Sequence, residues 1–283
     1  MIIGHTAIIA DLKKSAGQKS FGHGSIFFGA SRAGKRQVAL GLAHYFETGE
    51  FDVADRKVLQ DVLVISPDTE GTIGIDVVRE IRHFLSQMPN ISPYRTLIID
   101  RGEYLTTQAQ NALLKITEEP PAHALIIIVM DDYERLLPTL QSRMQKLYFG
   151  VVAAADISGW LTKELGVAKI KVQEISKKSF GLPGLAWAML FDKKFEERQN
   201  AAAQFLKLRG SAQKEFLKDL TAVDETNPFN FDAFLESVAI LLVSEEGKKY
   251  DAWHRVMKLR RDADNFNLNP RLQLTALAAA ISE

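Results

Sequence analysis

An α/β domain on a mostly parallel sheet, followed by an all-α half, is what this 283-residue sequence predicts. Three observations lead there. In residues 1–150, short apolar and β-branched runs alternate with longer stretches of helical periodicity, the arrangement of a parallel sheet with helices on both faces. After Phe149 the strand signals disappear, and helical segments separated by Gly, Pro and Asn clusters run on to Glu283. Hydrophobic residues make up 46% and charged residues 25%, which suits a globular chain with a sizeable core and excludes disorder or a disulfide scaffold.

The first strand is expected at Ser25–Phe28, with others at Val62–Ser66, Thr96–Ile99 and Leu125–Met130. Each is too short and too β-branched for an amphipathic helix, and each is followed by polar or turn residues. A helix from Lys35 to Glu47 follows the first strand. A second, Ile75 to Met88, repeats apolar residues at Val78, Ile81, Leu85 and Met88 and stops at Pro89. The third runs from Thr107 to Glu119, opened by a Thr107-to-Gln110 capping-box spacing and closed by Pro120-Pro121. Breaks at Ser179–Gly184 and the charged stretch Asp192–Asn200 divide the rest into a small helical unit, 151–197, and a larger bundle, 198–283. Phe205, Leu208, Phe216, Leu220, Phe234, Leu235, Val238 and Leu241 are expected to leave that bundle with apolar surface for a partner.

Thirty-five Lys and Arg balance thirty-five Asp and Glu, so the charge of a stand-alone nucleic-acid binder is missing. Without Cys there is no disulfide, thiolate nucleophile or cysteine-held metal, which suits a reducing compartment, and the cytoplasm is expected. Met1–Lys14 lacks a basic start and is interrupted by Asp11, unlike a signal peptide. The longest apolar run, Ala124–Met130, falls far short of the ~20 residues that span a bilayer. The six His are scattered, none paired at metal-ligand spacing.

Gly29-Ala30-Ser31-Arg32-Ala33-Gly34-Lys35 matches the first seven positions of a P-loop, in which backbone N–H groups cradle phosphates and the Lys neutralises them. The apolar strand before it and the helix after it supply the required context. The eighth position holds Arg36, so the hydroxyl that binds Mg²⁺ there is absent. Leu97-Ile98-Ile99-Asp100 ends as a Walker B segment does: Asp100 would hold a metal or its water, or else cap the following turn. Arg101 occupies the next place, where a hydrolytic site needs a carboxylate base, and a cation cannot accept the proton.

The stretch Tyr94–Asp100, the run Gln108-Ala109-Gln110-Asn111-Ala112-Leu113-Leu114-Lys115 through Pro121, and Leu136–Gln145 closely resemble the clamp-loader branch of the AAA+ proteins. Ile2–His5 and Ile73–Arg79 also fall where that family has similar residues. The resemblance implies an α/β P-loop AAA+ domain over 1–150, a small helical lid over 151–197 and an all-α collar over 198–283 that joins subunits in a ring. Three positions are similar to the delta-prime type rather than the motor type. Gly181-Leu182-Pro183-Gly184-Leu185-Ala186 lacks the sensor-2 Arg, Asp131-Asp132 takes the sensor-1 place, and Asn269-Pro270-Arg271-Leu272 opens the last helix. The four-cysteine zinc module usual in bacterial relatives has no counterpart in Thr48–Asp61, so no zinc is expected.

The family thereby implies a degenerate nucleotide site at Gly29, Gly34, Lys35, Arg36 and Asp100, one that would hold ATP or ADP weakly and without hydrolysis. It implies an arginine finger at Arg143, offered in trans to ATP on a neighbour; the alternative for Arg143 is an ordinary surface salt bridge. Arg79 and Arg82, three apart on one helix, are either DNA-backbone contacts or a solvated polar face. Implied partners are the ATPase subunits and the delta subunit, with the sliding clamp and primer-template DNA met through the complex. A motor-type, gamma/tau-like ATPase is the alternative.

Overall fold

The computed structural model describes residues 2–17, 21–52, 58–68, 71–222, 229–244, 250–265 and 268–282. These fall into two compact units, Met1–Ala186 and Trp187–Glu283. Residues 53–57, within the Thr48–Asp61 segment, lie outside the described residues.

The first unit is built on β1 (Gly24–Gly29), β2 (Val62–Ile65), β3 (Arg95–Asp100), β4 (Ala124–Met130) and β5 (Gln145–Phe149). They form one parallel sheet in the order β2-β3-β4-β1-β5. Because helices cover both faces, β4 is buried at every residue, which is why it reads as an unbroken apolar run. Alternate residues serve opposite cores. Ile26, Leu97, Ile99, Ile126 and Ile128 pack with α3 (Ile75–Ser86) and α4 (Thr107–Glu118). Phe27, Ile98, Leu125 and Ile127 pack with α1 (Thr6–Gly17) and α2 (Lys35–Thr48).

Two expected helix ends move. Helix α3 ends at Ser86, short of the expected Met88, which is 73% exposed; Pro89 disfavours helical backbone at the residue before it. The cap of α4 is Thr106 rather than Thr107, its hydroxyl accepting from the Ala109 N–H at 3.2 Å. Gln110 is therefore no capping-box partner. Its amide donates to the Leu105 carbonyl at 3.1 Å, and its Oε1 accepts from the Leu137 N–H at 2.7 Å, which fixes the approach to α5 (Pro138–Gln141).

Asp61 shows no exposed surface and gathers the N–H groups of Asn90, Ile91 and Ser92 at 2.8, 2.7 and 2.8 Å, with the Arg95 guanidinium at 3.0 Å. It anchors the loop entering β3. Burial alone pushes this carboxyl up, yet the three N–H donors and the Arg95 charge together hold it below its ordinary value.

After β5 the first unit continues with α6 (Ala154–Lys163), α7 (Lys169–Lys178) and the start of α8 (Pro183–Phe191). The second unit contains α9 (Lys193–Lys207), α10 (Gly210–Leu220), α11 (Phe231–Ser244), α12 (Tyr250–Asn265) and α13 (Pro270–Ser282). Its core takes in Phe205, Leu217, Phe234, Leu235, Val238, Val256 and Leu274. This corrects one expectation: Phe205, Phe234, Leu235 and Val238 fill the bundle's own interior, and Phe216, Leu220 and Leu241 pack partly buried against it. Asn269 caps α13, its Oδ1 accepting from Leu272 N–H at 3.2 Å, and Pro270 takes the first helical place.

Candidate functional site

Strand order creates the site. Phe28 pairs with Met130 and Asp100 with Val129, so the carboxyl ends of β3, β4 and β1 lie side by side, where open parallel sheets place their ligands. There β1 passes through the turn Ala30–Gly34 into α2. Gly29 and Gly34 adopt φ of 135° and 98°, and at Gly29 any Cβ would run into the Phe149 carbonyl, so the loop needs glycine at that point. The sequence-predicted Gly29, Gly34, Lys35, Arg36 and Asp100 are thus brought together at the carboxyl ends of the sheet's inner strands.

The charges then pair among themselves. The Lys35 ammonium, 6% exposed, donates to the Gly29 and Ala30 carbonyls at 2.8 and 2.7 Å and to Asp131 Oδ1 at 2.9 Å. An ammonium has three hydrogens to give, and all three are engaged. One position along α2, Arg36 Nε lies 3.2 Å from Asp100 Oδ2. Burial raises the Asp100 carboxyl above its ordinary value in spite of Arg36, Arg101 and Lys35 nearby.

Two further residues complete the cluster. Arg101 has a left-handed backbone, φ 59°, and its guanidinium donates to the Tyr104 hydroxyl at 2.9 Å with its carbon 4.5 Å from that ring. Glu103 is raised by burial and by the Asp131 charge, and its Oε2 is buried without a hydrogen-bond partner. Sequence reasoning missed Glu103. It also placed Asp131 against an incoming phosphate without finding its partner, Lys35. The signal for that pairing is topological: β4 neighbours β1, and Gly29 N–H donates to the Asp131 carbonyl at 3.2 Å. Asp132 has a local role, its Oδ1 accepting from Glu134 N–H at 2.9 Å.

The loop is held from two other directions. His5 Nε2 donates to the Ala33 carbonyl at 2.8 Å. Gly184 donates its N–H to the Arg32 carbonyl at 2.9 Å, and a Cβ there would meet the Arg32 carbonyl oxygen at 3.0 Å. Mg²⁺ and a triphosphate do not fit the residues present. Lys35 has all three donors engaged, Asp100 faces the Arg36 guanidinium, and a cation, Arg101, follows Asp100 where a hydrolytic P-loop site needs a carboxylate base.

The remaining candidates lie away from this cluster. Arg143, in the turn between α5 and β5, donates to the Thr139 carbonyl at 2.7 Å and to Glu118 Oε1 at 3.0 Å, with side-chain exposures of 36% for Arg143 and 50% for Glu118. Met144 behind it is buried under Gly24. Arg79 and Arg82 are exposed on α3, and Arg79 lies 3.4 Å from Asp76. Among the described residues no group of His, Asp and Glu could hold a metal ion, and no helix is long and apolar enough to cross a membrane.

A sequence profile of the family described as "DNA polymerase III, delta subunit" matches residues 4–153, just over half of the chain. The chain belongs to the DNA polymerase III clamp-loader family. The delta-prime subunit of Escherichia coli is 29% identical over 140 residues, 49% of this chain and 42% of that one. The gamma/tau subunit of Mycobacterium tuberculosis is 30% identical over 174 residues, 57% of this chain and 30% of that one. The matches thus span less than half the length of these relatives. A gamma subunit-related protein of Thermotoga maritima superposes with a TM-score of 0.62 at 22% identity, over 96% of this chain and 98% of that one. The RuvB branch-migration motor of the same organism gives 0.51 at 16%, over 99% and 82%. These likenesses establish the fold of the clamp-loader chain as AAA+ α/β with a helical carboxy-terminal part.

Proposed function

We propose that this chain is a delta-prime-like clamp-loader subunit that hydrolyses no ATP itself. In this reading residues 1–150 are the AAA+ domain, 151–197 the helical lid and 198–283 the collar. It assembles in the cytoplasm with ATP-hydrolysing subunits and a delta subunit in a hetero-oligomeric ring that opens the sliding clamp and places it on primer-template DNA. Arg143 acts in trans, stabilising charge on ATP held by a neighbouring subunit, and Arg79 and Arg82 are the candidates for DNA-backbone contact.

The observation that carries the reading is the internal pairing of the nucleotide site. Lys35 is held by Asp131 and Arg36 faces Asp100, while Arg101 and Gly184 replace a base and a sensor-2 Arg. The delta-prime relative supports it. A motor-type ATPase is the second reading, favoured by the intact Gly29–Lys35 loop and by the likeness to gamma/tau subunits.

ATP turnover by the purified chain separates the two. The expected result is turnover at the level of a protein-free control. Turnover that disappears on Lys35→Ala would move the assignment to the motor type. The subunit reading has its own test, the mass of the species formed with cognate ATPase and delta subunits. A hetero-oligomer is expected, and a chain that stays monomeric in that mixture contradicts it.

A further inference from the structure

The nucleotide site of this chain carries its own counter-ions. We propose that the Asp131 carboxylate stands in for a phosphate at Lys35, and the Arg36 guanidinium for a metal ion at Asp100, so that a latent anion site is kept closed by one side chain, Asp131. The proposal builds on the non-hydrolysing reading, yet it concerns binding by this chain alone and is independent of partners.

Four observations carry it. A P-loop lysine recognises phosphate as a point charge with three donors, and here those donors go to Gly29, Ala30 and Asp131. The lysine is 6% exposed, so it can take an anion only by exchanging the one it has. The place at which a P-loop offers Mg²⁺ a hydroxyl is filled by Arg36, whose guanidinium lies 3.2 Å from Asp100. Finally, Asp100 lies close to Lys35, Arg36 and Arg101, and Glu103 close to Lys35 and Arg101, so each of these three cations already has carboxylates near it.

This arrangement makes Asp131 the residue that excludes phosphate. With the carboxylate replaced by an amide, Lys35 keeps an oxygen acceptor at 131 but loses the opposing charge, so its own charge is uncompensated. The restraints from His5 on the Ala33 carbonyl and from the Gly184 N–H on the Arg32 carbonyl do not involve the Asp131 side chain. Asp131→Asn should therefore gain anion binding rather than lose a property.

Calorimetric titration of the full chain with inorganic pyrophosphate, at fixed ionic strength and without Mg²⁺, reads this directly. The expectation is saturable binding by Asp131→Asn at least about tenfold tighter than any binding to the wild type, since one like charge is removed from contact distance. Lys35→Ala combined with Asp131→Asn should abolish the gain. Because unpairing a buried lysine can impair folding, thermal unfolding of Asp131→Asn and the shorter Asp131→Ser is followed in parallel. Pyrophosphate should raise their unfolding temperature, and chloride at equal ionic strength should not.

Wild-type binding equal to that of Asp131→Asn overturns the proposal, as does the absence of both binding and thermal rescue in both variants. The metal half has its own arm. Mg²⁺ should strengthen pyrophosphate binding when Arg36→Thr is added to Asp131→Asn, and not in Asp131→Asn alone; equal Mg²⁺ effects in the two overturn the role given to Arg36. A chain that fails to assemble with clamp-loader subunits yet gains the site would leave this inference standing and remove the subunit reading.

Discussion

Glu103 sits beside Asp131 with Oε2 buried and unbonded, a place where a carboxylate is costly to keep charged. Its folded-state value is raised above the ordinary 4.5, so the stability tied to this group is fully present below about pH 4.5 and is lost as pH rises through the folded value. Glu103→Gln should accordingly raise the unfolding temperature at pH 7, by an amount that shrinks as the pH is lowered to 4. Thermal unfolding across that range checks it, and a loss at pH 7 would mean that the charged form has a partner. Lys35, Arg36 and Asp100 were legible in the sequence because a P-loop and the end of an apolar strand have fixed spacings. Glu103 was not, since nothing local says that a polar residue after Asp100 will be buried. The pairing of Lys35 with Asp131 spans residues that only the β1–β4 neighbourhood brings together.

Among the elements, the tie between Asp61, the Asn90–Ser92 loop and β3 has the clearest energetic consequence. Asp61→Asn leaves the Arg95 guanidinium without its anion and weakens three N–H contacts, and breaking such a buried pair costs roughly 3–5 kcal/mol. The carboxyl is held below its ordinary 3.8, so its contribution is present above that pH and is lost as the pH falls through the lower folded value. The gap in unfolding free energy between wild type and Asp61→Asn should hence be constant from pH 5 to 7 and narrow in acid. Denaturant titration at several pH values measures it, and a gap that widens in acid contradicts the assignment. Strands β1, β3 and β4 were readable because both of their faces are buried, and the edge strand β2 because Val62–Ile65 is an unbroken apolar run, although only Ile65 in it is buried. At the other edge β5 was not, since Gln145, Lys146 and Tyr148 are exposed and only Phe149 is buried. Helix α1 was missed for a similar reason, with Leu12 its one fully buried residue among those described.

For the whole molecule, the sequence indicated an α/β part followed by helices, and the fold has that order. Apolar residues of the bundle misled as to surface, because periodicity shows which residues share a face but not whether that face meets another helix of the same chain. Phe205 and Phe234 meet each other, ring centroids 5.8 Å apart, inside the second unit. The bundle's apolar residues therefore give no surplus surface for a partner, and the proposed role toward a neighbouring subunit falls to Arg143. In this chain Arg143 is about one-third exposed and held by Glu118 and the Thr139 carbonyl, so under the proposed role, turning to a neighbour's ATP would exchange one exposed ion pair, worth about 0–1 kcal/mol, for a phosphate. The most direct measurement is ATP turnover and clamp loading by a complex reconstituted with Arg143→Ala. If the proposed role holds, folding and assembly should be nearly intact and turnover should fall partially, by the share of the one site this subunit would complete, although a finger acting alone contributes roughly 10³-fold or more. Arg143→Lys should fail in the same way, because an ammonium keeps the charge without the planar fork. An assembled Arg143→Ala complex that hydrolyses ATP and loads clamps at the wild-type rate would contradict the account.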